Sequence, residues 1–511
     1  MPSFPRTASF WVKVGLGLAL VALADGLVYL EIPGAGLGLF ALAVTAAAFL
    51  TNPALGRSRL ALLALLIAEA LAALQIERAT PLGFLLFTVA IGVAALAPRA
   101  HAGDDAWRWL QRLAIGALKA LMGPFKDVGS ILKARGRQRT LRVTAVLLAA
   151  VLPVVGGAVF LWLFAIANPV ISRTLSALRI PELDVARLIF WGAVGGAAWA
   201  VLRPRGLRRT LAPPGLNGEL DLPGVTTASV TVSLLVFNGL FALQNGLDVA
   251  YLWSGAPLPA GMTLAAYAHR GAYPLIVTAL LAGLFVLVFL RPGSATGEAR
   301  WPRILVTAWV AQNLFLVAST ALRTLDYLQA YSLTRLRIAA LAWMALVAVG
   351  LALIGWRLLR GKSSSWLINA NVFAAGVVLA ACSVVDLGAM AAAWNVRHAR
   401  EVGGGAVALD VCYLGRLNGA ALVSLAELEQ RPLAPTFRAR VEWTRRALTA
   451  DLVKRQADWR GWRWRDARRL DRVRSLVGPD RAWRPGEPVG DCAPQPAPKP
   501  VQLTAPPQPG T

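Results

Sequence analysis

The chain has 511 residues, of which 57% are hydrophobic, and it carries a formal net charge of +25. A soluble globular protein, a disordered chain and a disulfide scaffold all fit this composition poorly, since apolar residues dominate and cysteines are few. The positive charge lies mainly beside apolar runs and in the C-terminal part, where anionic lipid headgroups explain it better than nucleic acid does. We therefore expect a lipid bilayer with anionic headgroups as a partner, and no nucleic acid.

Apolar runs recur from about Phe10 to about Met390 and then stop. A helix of about 20 apolar residues crosses roughly 30 Å of hydrocarbon, and a soluble core has no use for so many such runs in succession. Hydropathy windows predict about eleven spans. They lie near residues 10–30, 34–51, 59–76, 81–98, 141–167, 185–202, 225–253, 271–290, 303–322, 337–357 and 367–391.

The predicted fold is all-α, a polytopic transmembrane helix bundle followed by a small, mostly helical extramembrane domain. In chain order we predict an N-terminal four-helix membrane segment over 1–98, a basic amphipathic link over 99–140, the main membrane helix bundle over 141–391, a C-terminal domain over 392–484 and a disordered Pro-rich tail over 485–511.

The link over 99–140 carries far more Arg and Lys than any other connection. Within it Trp109, Leu113 and Ala117 recur at helical spacing, while Arg108 and Arg112 occupy other positions. The pattern predicts an amphipathic helix. Two interpretations remain open: the helix lies on the membrane surface, or it packs its apolar side on neighbouring spans.

The positive-inside rule places this basic link in the cytoplasm. Alternation of the spans then places the N-terminus in the cytoplasm and the C-terminal domain outside, in the periplasm or extracellular space. We therefore predict a multi-pass membrane protein. A cleavable signal peptide ending near Ala24 is an alternative for the N-terminus, although the apolar pattern continues to Leu30. The arginines within 323–337 depart from the charge rule, since they fall on the predicted outer side.

Cys412 and Cys492 are the only cysteines after the last predicted span. In an oxidising compartment two thiols of one small domain can pair. A disulfide between Cys412 and Cys492 is therefore one hypothesis, and two incidental thiols are the other.

Polar side chains within predicted spans are costly and suggest a functional site. In the seventh span Asn238, Asn245 and Asp248 share one helical face. The candidate intramembrane residues are Asn238, Gln244, Asn245, Asp248, Gln312, Asn313 and Asp386. One interpretation is a polar cavity for a solute, an ion or a lipid headgroup, with Arg323 as counter-ion. The other is hydrogen bonding between helices that fixes their packing.

The motifs of common catalytic and metal sites are missing from the sequence. His101, His269 and His398 are dispersed, which argues against a His-based metal site. The sequence also lacks a phosphate-binding Gly-rich loop, an H-E-x-x-H motif and a C-x-x-C motif. We predict no catalytic residue, no metal and no cofactor.

Tryptophan and arginine alternate from Trp459 to Arg465. Such a segment can stack on bases or rest at a lipid interface. The alternative is an Arg-rich helix that packs through its tryptophans and exposes its charges to water.

Two segments, Phe237 to Asp248 and Tyr267 to Leu275, resemble a family of bacterial integral-membrane proteins grouped as domain of unknown function 4173, which is related to family 4153. The likeness continues through residues 323–337 and 410–414 and covers about residues 230 to 430 well. The resemblance implies a membrane location and no established activity, so it assigns no catalytic residues.

The resembling positions direct attention to the predicted outer side. The outer-surface candidates are Tyr267, His269, Arg270, Tyr273, Arg323, Asp326, Tyr327, Tyr331 and Arg335. We expect the two links that carry them, together with the start of the C-terminal domain, to form one polar surface above Asn245 and Asp248.

The leading functional prediction is a non-enzymatic binding, sensing or assembly component of the envelope, with an envelope protein as a candidate partner. The alternative is a transporter or channel that uses the polar residues of the seventh, ninth and eleventh spans. A membrane enzyme acting on lipid-linked substrates fits less well, and the sequence does not predict an oligomeric state.

Overall fold

A computed structural model describes residues 6–101, 103–121, 123, 127, 184–205, 210–211, 226–254, 277, 281, 284–286, 288–291, 293–405 and 407–478. Throughout these residues the regular elements are helices, which confirms the all-α prediction. The predicted disordered tail over 485–511 and Cys492 of the predicted disulfide lie outside the described residues.

The membrane body contains eleven described helices. They are α1 (Arg6–Leu27), α2 (Ala35–Thr51), α3 (Arg59–Glu77), α4 (Pro81–Leu96), α5 (Ala106–Leu121), α6 (Val185–Leu202), α7 (Thr227–Asp248), the short α8 (Ala295–Glu298), α9 (Arg300–Tyr331), α10 (Arg335–Arg360) and α11 (Ser364–Val384). Short 3₁₀ turns span Pro53–Arg57 and Ala97–Arg99, and a π-helical turn, Val249–Trp253, extends α7.

The C-terminal domain is built from shorter helices. They are α12 (Leu387–Arg397), α13 (Val411–Arg416), α14 (Leu422–Glu429), α15 (Pro435–Ala457) and α16 (Trp464–Val477), with 3₁₀ turns at Arg400–Val402 and Asn418–Ala421. The end of α9 belongs to the same core, because Leu328 and Leu333 pack with Val396, Leu414 and Leu425.

Among the described residues, 8 helices are long and apolar enough to cross a membrane, and α2 is a shorter apolar helix of 17 residues. Together these nine helices match nine of the eleven predicted spans. The fifth predicted span, over 141–167, lies outside the described residues, and most of the eighth, over 271–290, lies outside them too. Large apolar side chains face outward along these helices, with Leu18 67%, Leu66 62% and Phe373 74% exposed. Such extensive apolar surface needs a hydrocarbon environment, so the chain is a multi-pass membrane protein.

The first packing group joins α1, α2, α3, α4 and α6. Its contacts use small residues such as Ala24, Ala48 and Ala68, each fully buried, which let helix backbones approach closely. Leu202 of α6 is buried in this group. Helix α6 belongs to the predicted main bundle over 141–391, yet it packs with the helices of the predicted N-terminal segment over 1–98. Helix α5 packs against α4, α6 and α11, as the second interpretation of the amphipathic link proposed.

The second packing group joins α7, α9, α10 and α11 around Leu234, Val306 and Trp309. Helices α7 and α9 run parallel, since Asn238 contacts Leu305 while Asp248, further along α7, contacts Arg323. The eighth span, predicted over 271–290, lies between these two helices in the sequence and mostly outside the described residues.

Two faces of the membrane body can be defined. The tail face is the side on which Glu31, Glu77 and Asp386 contact the C-terminal domain. The link face is the opposite side, where α5 begins and where Asp127 contacts Arg203. The links on each face are those that the alternation of spans predicts to share a side.

The described residues on either side of the fifth predicted span lie on opposite faces. Asp127 lies on the link face, whereas Asp184 lies on the tail face, where it accepts a hydrogen bond of 2.5 Å from Tyr29. The fifth span, predicted over 141–167, lies between these two residues in the sequence and outside the described residues.

The last predicted span ends earlier than the sequence suggests. Helix α11 stops at Val384, and Asp386 caps the next helix by accepting hydrogen bonds of 3.0 Å from the backbone N–H groups of Gly388 and Ala389. The prediction that Asp386 lies inside the eleventh span was therefore wrong. The residues on both sides of Asp386 are apolar, so hydropathy predicts one continuous helix here and does not indicate the break.

Candidate functional site

A buried pair of opposite charges joins α7 to α9. Asp248 is 0% and Arg323 5% exposed, and the Arg323 guanidinium contacts the Asp248 carboxylate. Gln244 donates a second hydrogen bond of 3.0 Å to the same carboxylate oxygen. Since an isolated charge in hydrocarbon is costly, the opposite charges and the amide stabilise one another.

Amide side chains continue this contact along the two helices. Gln312 donates to Oδ1 of Asn238 over 2.7 Å, and Asn238 donates to the carbonyl of Leu305 over 3.0 Å. Asn245 donates to the carbonyl of Gln312 over 3.2 Å. These bonds join α7 to α9, as expected for polar side chains that fix helix packing.

Some hydrogen-bonding capacity in this region is not used. Oδ1 of Asn245, Oε1 of Gln312 and Oδ1 of Asn313 are buried and accept no hydrogen bond from the described residues. Buried acceptors of this kind favour a donor such as water or a protonated group. The polar network thus consists mainly of contacts between helices, with three acceptor atoms left over.

A second polar assembly lies on the tail face, where the C-terminal domain caps a membrane helix. The N-cap residue of α2 is Gly34, which has no side chain to accept from the free N–H groups of the helix end. The N–H groups of Ala35 and Gly36 instead donate to the carbonyls of Trp462 and Arg460 over 2.8 and 2.9 Å. The turn between α15 and α16 therefore serves as the N-terminal cap of α2.

This approach is so close that it requires glycine. A Cβ atom at Gly34 would lie 2.5 Å from the carbonyl carbon and oxygen of Gly461 and 2.8 Å from the carbonyl oxygen of Arg460. Backbone packs directly on backbone here, and neither side can move aside by rotating a side chain.

Ion pairs surround the cap. Arg465 contacts Glu77 at 2.9 Å, and Arg469 contacts Asp386. Arg460 contacts Glu31 at 2.5 Å. These three carboxylates lie at the ends of three different membrane segments, so the arginines of one short stretch connect the domain to several helices at once. We call the cap and these ion pairs together the tail latch.

Asp386 lies at the centre of the charge arrangement. Burial opposes its ionisation, but Arg469, the N–H of Ala389 and Arg78 together outweigh burial and hold the pKa of the carboxyl below its ordinary value. Arg78 lies 3.8 Å from Asp386 and also donates to the carbonyl of Val385 over 2.6 Å. The carboxylate is therefore charged at neutral pH, as the pairing requires.

The start of the C-terminal domain meets the link between α9 and α10. Asn395 exchanges two hydrogen bonds with the backbone of Leu333, of 2.7 and 2.9 Å. The N–H of Arg335 donates to the hydroxyl of Tyr413 over 2.9 Å, and its guanidinium donates to the carbonyl of Leu417 over 3.1 Å. The domain is thus held at two separate places on the tail face.

The structure does not describe the side chains of the other residues that the sequence suggested for the outer surface. Asp326, Tyr327 and Tyr331 lie in the last turns of α9, where the structure describes the backbone alone. The remaining candidates, Tyr267, His269, Arg270 and Tyr273, lie outside the described residues. The predicted surface formed by two links and the tail is therefore described for one link only.

Sequence reasoning missed most of the tail latch. The sequence predicts the Trp–Arg segment as an interface or a packed helix, and it does not predict Gly34, Glu31 and Glu77 as its contacts. One available signal was the position of Glu31 and Glu77, since each is an isolated carboxylate directly after an apolar run. No signal in the sequence shows that Gly34 touches Gly461, which is more than 400 residues away.

Metal ligands do not cluster in the described part of the chain, where no group of three or more His, Cys, Asp or Glu side chains could hold an ion.

We predict that Gly34→Ala displaces the C-terminal domain, because the new methyl group collides with the backbone at Gly461. Limited trypsin digestion should then cleave after Arg460 and Arg463 at least several-fold faster than in the parent protein. The matched control is Gly26→Ala in α1, where an added Cβ meets nothing within 4 Å. Equal cleavage rates for the two variants would show that Gly34 is not a close contact.

One family matches the chain, under the description Domain of unknown function (DUF4153), over residues 40–428. The family number 4173 is not confirmed by this match. No curated protein and no solved structure matches the chain. Because the match covers more than half of the sequence and the structure is a bundle of apolar helices, the chain belongs to the DUF4153 family.

Proposed function

We propose that this protein is a non-enzymatic component of the bacterial inner membrane that holds its C-terminal domain as a fixed binding platform on the periplasmic surface. The observation that carries the proposal is the tail latch. A domain attached by a flexible linker would sample many positions, whereas this one caps a membrane helix and pairs with carboxylates from several others.

The distribution of charge supports the orientation. Basic residues that end or join spans on the link face include Arg57, Arg99, Arg203, Arg291 and Arg360. The tail-face links carry the carboxylates Glu31, Glu77 and Asp184 beside the basic residues Arg78, Arg335 and Arg337. Because cytoplasmic loops are enriched in Lys and Arg, the link face is assigned to the cytoplasm and the tail face to the periplasm.

The surface of the domain offers aromatic and cationic groups close to the membrane. Trp459 and Trp464 are 55% and 53% exposed, and the guanidinium of Arg468 lies 4.5 Å from the ring centroid of Trp464. Exposed aromatic and arginine side chains are common at membrane interfaces and at protein interfaces. An envelope protein that binds at the membrane surface is the partner this chemistry fits.

A second candidate function is transport through the region between α7 and α9, and the buried acceptor atoms of Asn245, Gln312 and Asn313 favour it. Against it, Asp248 contacts Arg323 and Gln244, and Asn238 contacts Gln312. These contacts join the two helices to each other. We therefore favour a role in helix packing over a role in transport for these residues.

The orientation predicts the outcome of reporter fusions. A reporter active only in the periplasm should be active when fused after Gly478 and inactive when inserted at Gly103, and a reporter that works only in the cytoplasm should show the reverse. Cytoplasmic activity after Gly478 would contradict the proposed placement of the domain.

The platform and transport proposals predict different rates of proton flux across a membrane that contains the protein. In proteoliposomes with an imposed membrane potential, we expect the full chain to conduct protons no faster than protein-free vesicles, and Asp248→Asn to change nothing. An amide at this position still accepts hydrogen bonds but leaves the Arg323 charge without its counter-ion, so flux is compared after size-exclusion chromatography shows that the variant is folded. Flux in the parent protein that Asp248→Asn abolishes would favour transport and overturn the first proposal.

A further inference from the structure

A cavity of about 800 Å³ lies in the first packing group, between α2, α4, α5 and α6. Apolar side chains form most of its wall, among them Phe87, Ile91, Leu113, Val194 and Trp199. Its size is within the range of small-molecule sites, about 300–1,000 Å³. The cavity is separate from the tail latch and from the polar network of α7 and α9.

The cavity is elongated along the membrane normal. Its wall includes Phe190 near the start of α6 and Arg203 just after its end. At 1.5 Å per residue this stretch of helix is roughly 20 Å long. One leaflet of hydrocarbon is about 15 Å thick, half of the roughly 30 Å core. The cavity can therefore hold one extended acyl chain of a lipid from the leaflet at the link face.

The end of the cavity at the link face is basic. Lys119 of α5 and Arg203 and Arg205 after α6 all line it. Asp127, which is not part of the wall, lies 2.8 Å from Arg203 and 2.5 Å from Arg205. Two guanidinium groups offer ten N–H donors, more than one carboxylate can accept. Among the described residues named here, three cations meet one carboxylate, which leaves an excess of positive charge.

Apolar contact alone cannot make this site selective, because an acyl chain is as well solvated by the bilayer as by the cavity wall. Selectivity must come from the headgroup. Zwitterionic lipids carry no net charge to match the basic end, and inorganic phosphate does not account for the apolar wall. A lipid with an anionic headgroup matches both parts of the cavity.

We propose that this cavity binds one anionic phospholipid from the leaflet at the link face, with its phosphate beside Lys119, Arg203 and Arg205 and one acyl chain between α4 and α6. The site is independent of the proposed platform function, since it lies on the other face of the membrane.

Native mass spectrometry of the full chain, with phosphatidylglycerol or phosphatidylcholine added in equal amounts, tests the site. We expect one phosphatidylglycerol to be retained in preference to phosphatidylcholine. A basic residue near a membrane surface contributes about 1 kcal/mol to anionic lipid binding, so Lys119→Gln should lower the preference roughly five-fold. Lys362→Gln is the matched control, an exposed lysine of the link face that does not line the cavity.

A second pair of variants tests the acyl chain. Ala197 is exposed on α6 and lines the cavity, so Ala197→Phe should remove the retained lipid. Ala186→Phe is its control, because Ala186 is exposed on the same helix but does not line the cavity. Equal retention of the two lipids, or equal effects of Lys119→Gln and Lys362→Gln, would overturn the proposal even if Ala197→Phe failed to fold.

Discussion

Two backbone hydrogen bonds, from the N–H groups of Ala35 and Gly36 to the carbonyls of Trp462 and Arg460, hold the C-terminal domain against the start of a membrane helix. A membrane helix that begins at Gly34 leaves N–H groups without intrahelical partners, and glycine offers no side chain to accept from them. The domain supplies the acceptors. The arginines that follow this turn contact Glu77 and Asp386, so the cap and the ion pairs hold the same part of the domain.

Helix α9 connects this surface assembly to the interior of the membrane. Arg323 contacts Asp248 within the bundle, and one to two turns later Leu328 belongs to the core of the C-terminal domain. Parallel packing on α7, fixed by the amide contacts, therefore also fixes the part of α9 that the domain packs on. One continuous helix, α9, therefore connects the polar contact within the bundle to the C-terminal domain. A few polar contacts between helices can in this way hold the domain in a fixed position.

Much of the fold followed from hydropathy, because a helix must be long and apolar to cross the bilayer, and that requirement is local in sequence. The alternation of spans likewise predicted which links lie together on each face of the structure. The contact between α7 and α9 was predictable as a polar face, although the sequence left open whether it formed a cavity or a helix contact. Asp386 was misplaced because hydropathy averages over windows and does not register a two-residue break. The cap of α2 was not predictable, since it depends on backbone atoms of two segments that lie far apart in the sequence.

Hydrogen exchange at the start of α2, measured on the intact protein in detergent or nanodiscs, is the most direct test of the account. The amides of Ala35 and Gly36 are expected to exchange as slowly as those in the middle of the helix, because both donate to the docked domain. Exchange at the rate of an uncapped helix end, while the interior of α2 stays protected, would show that the domain is not docked there and would contradict the tail latch.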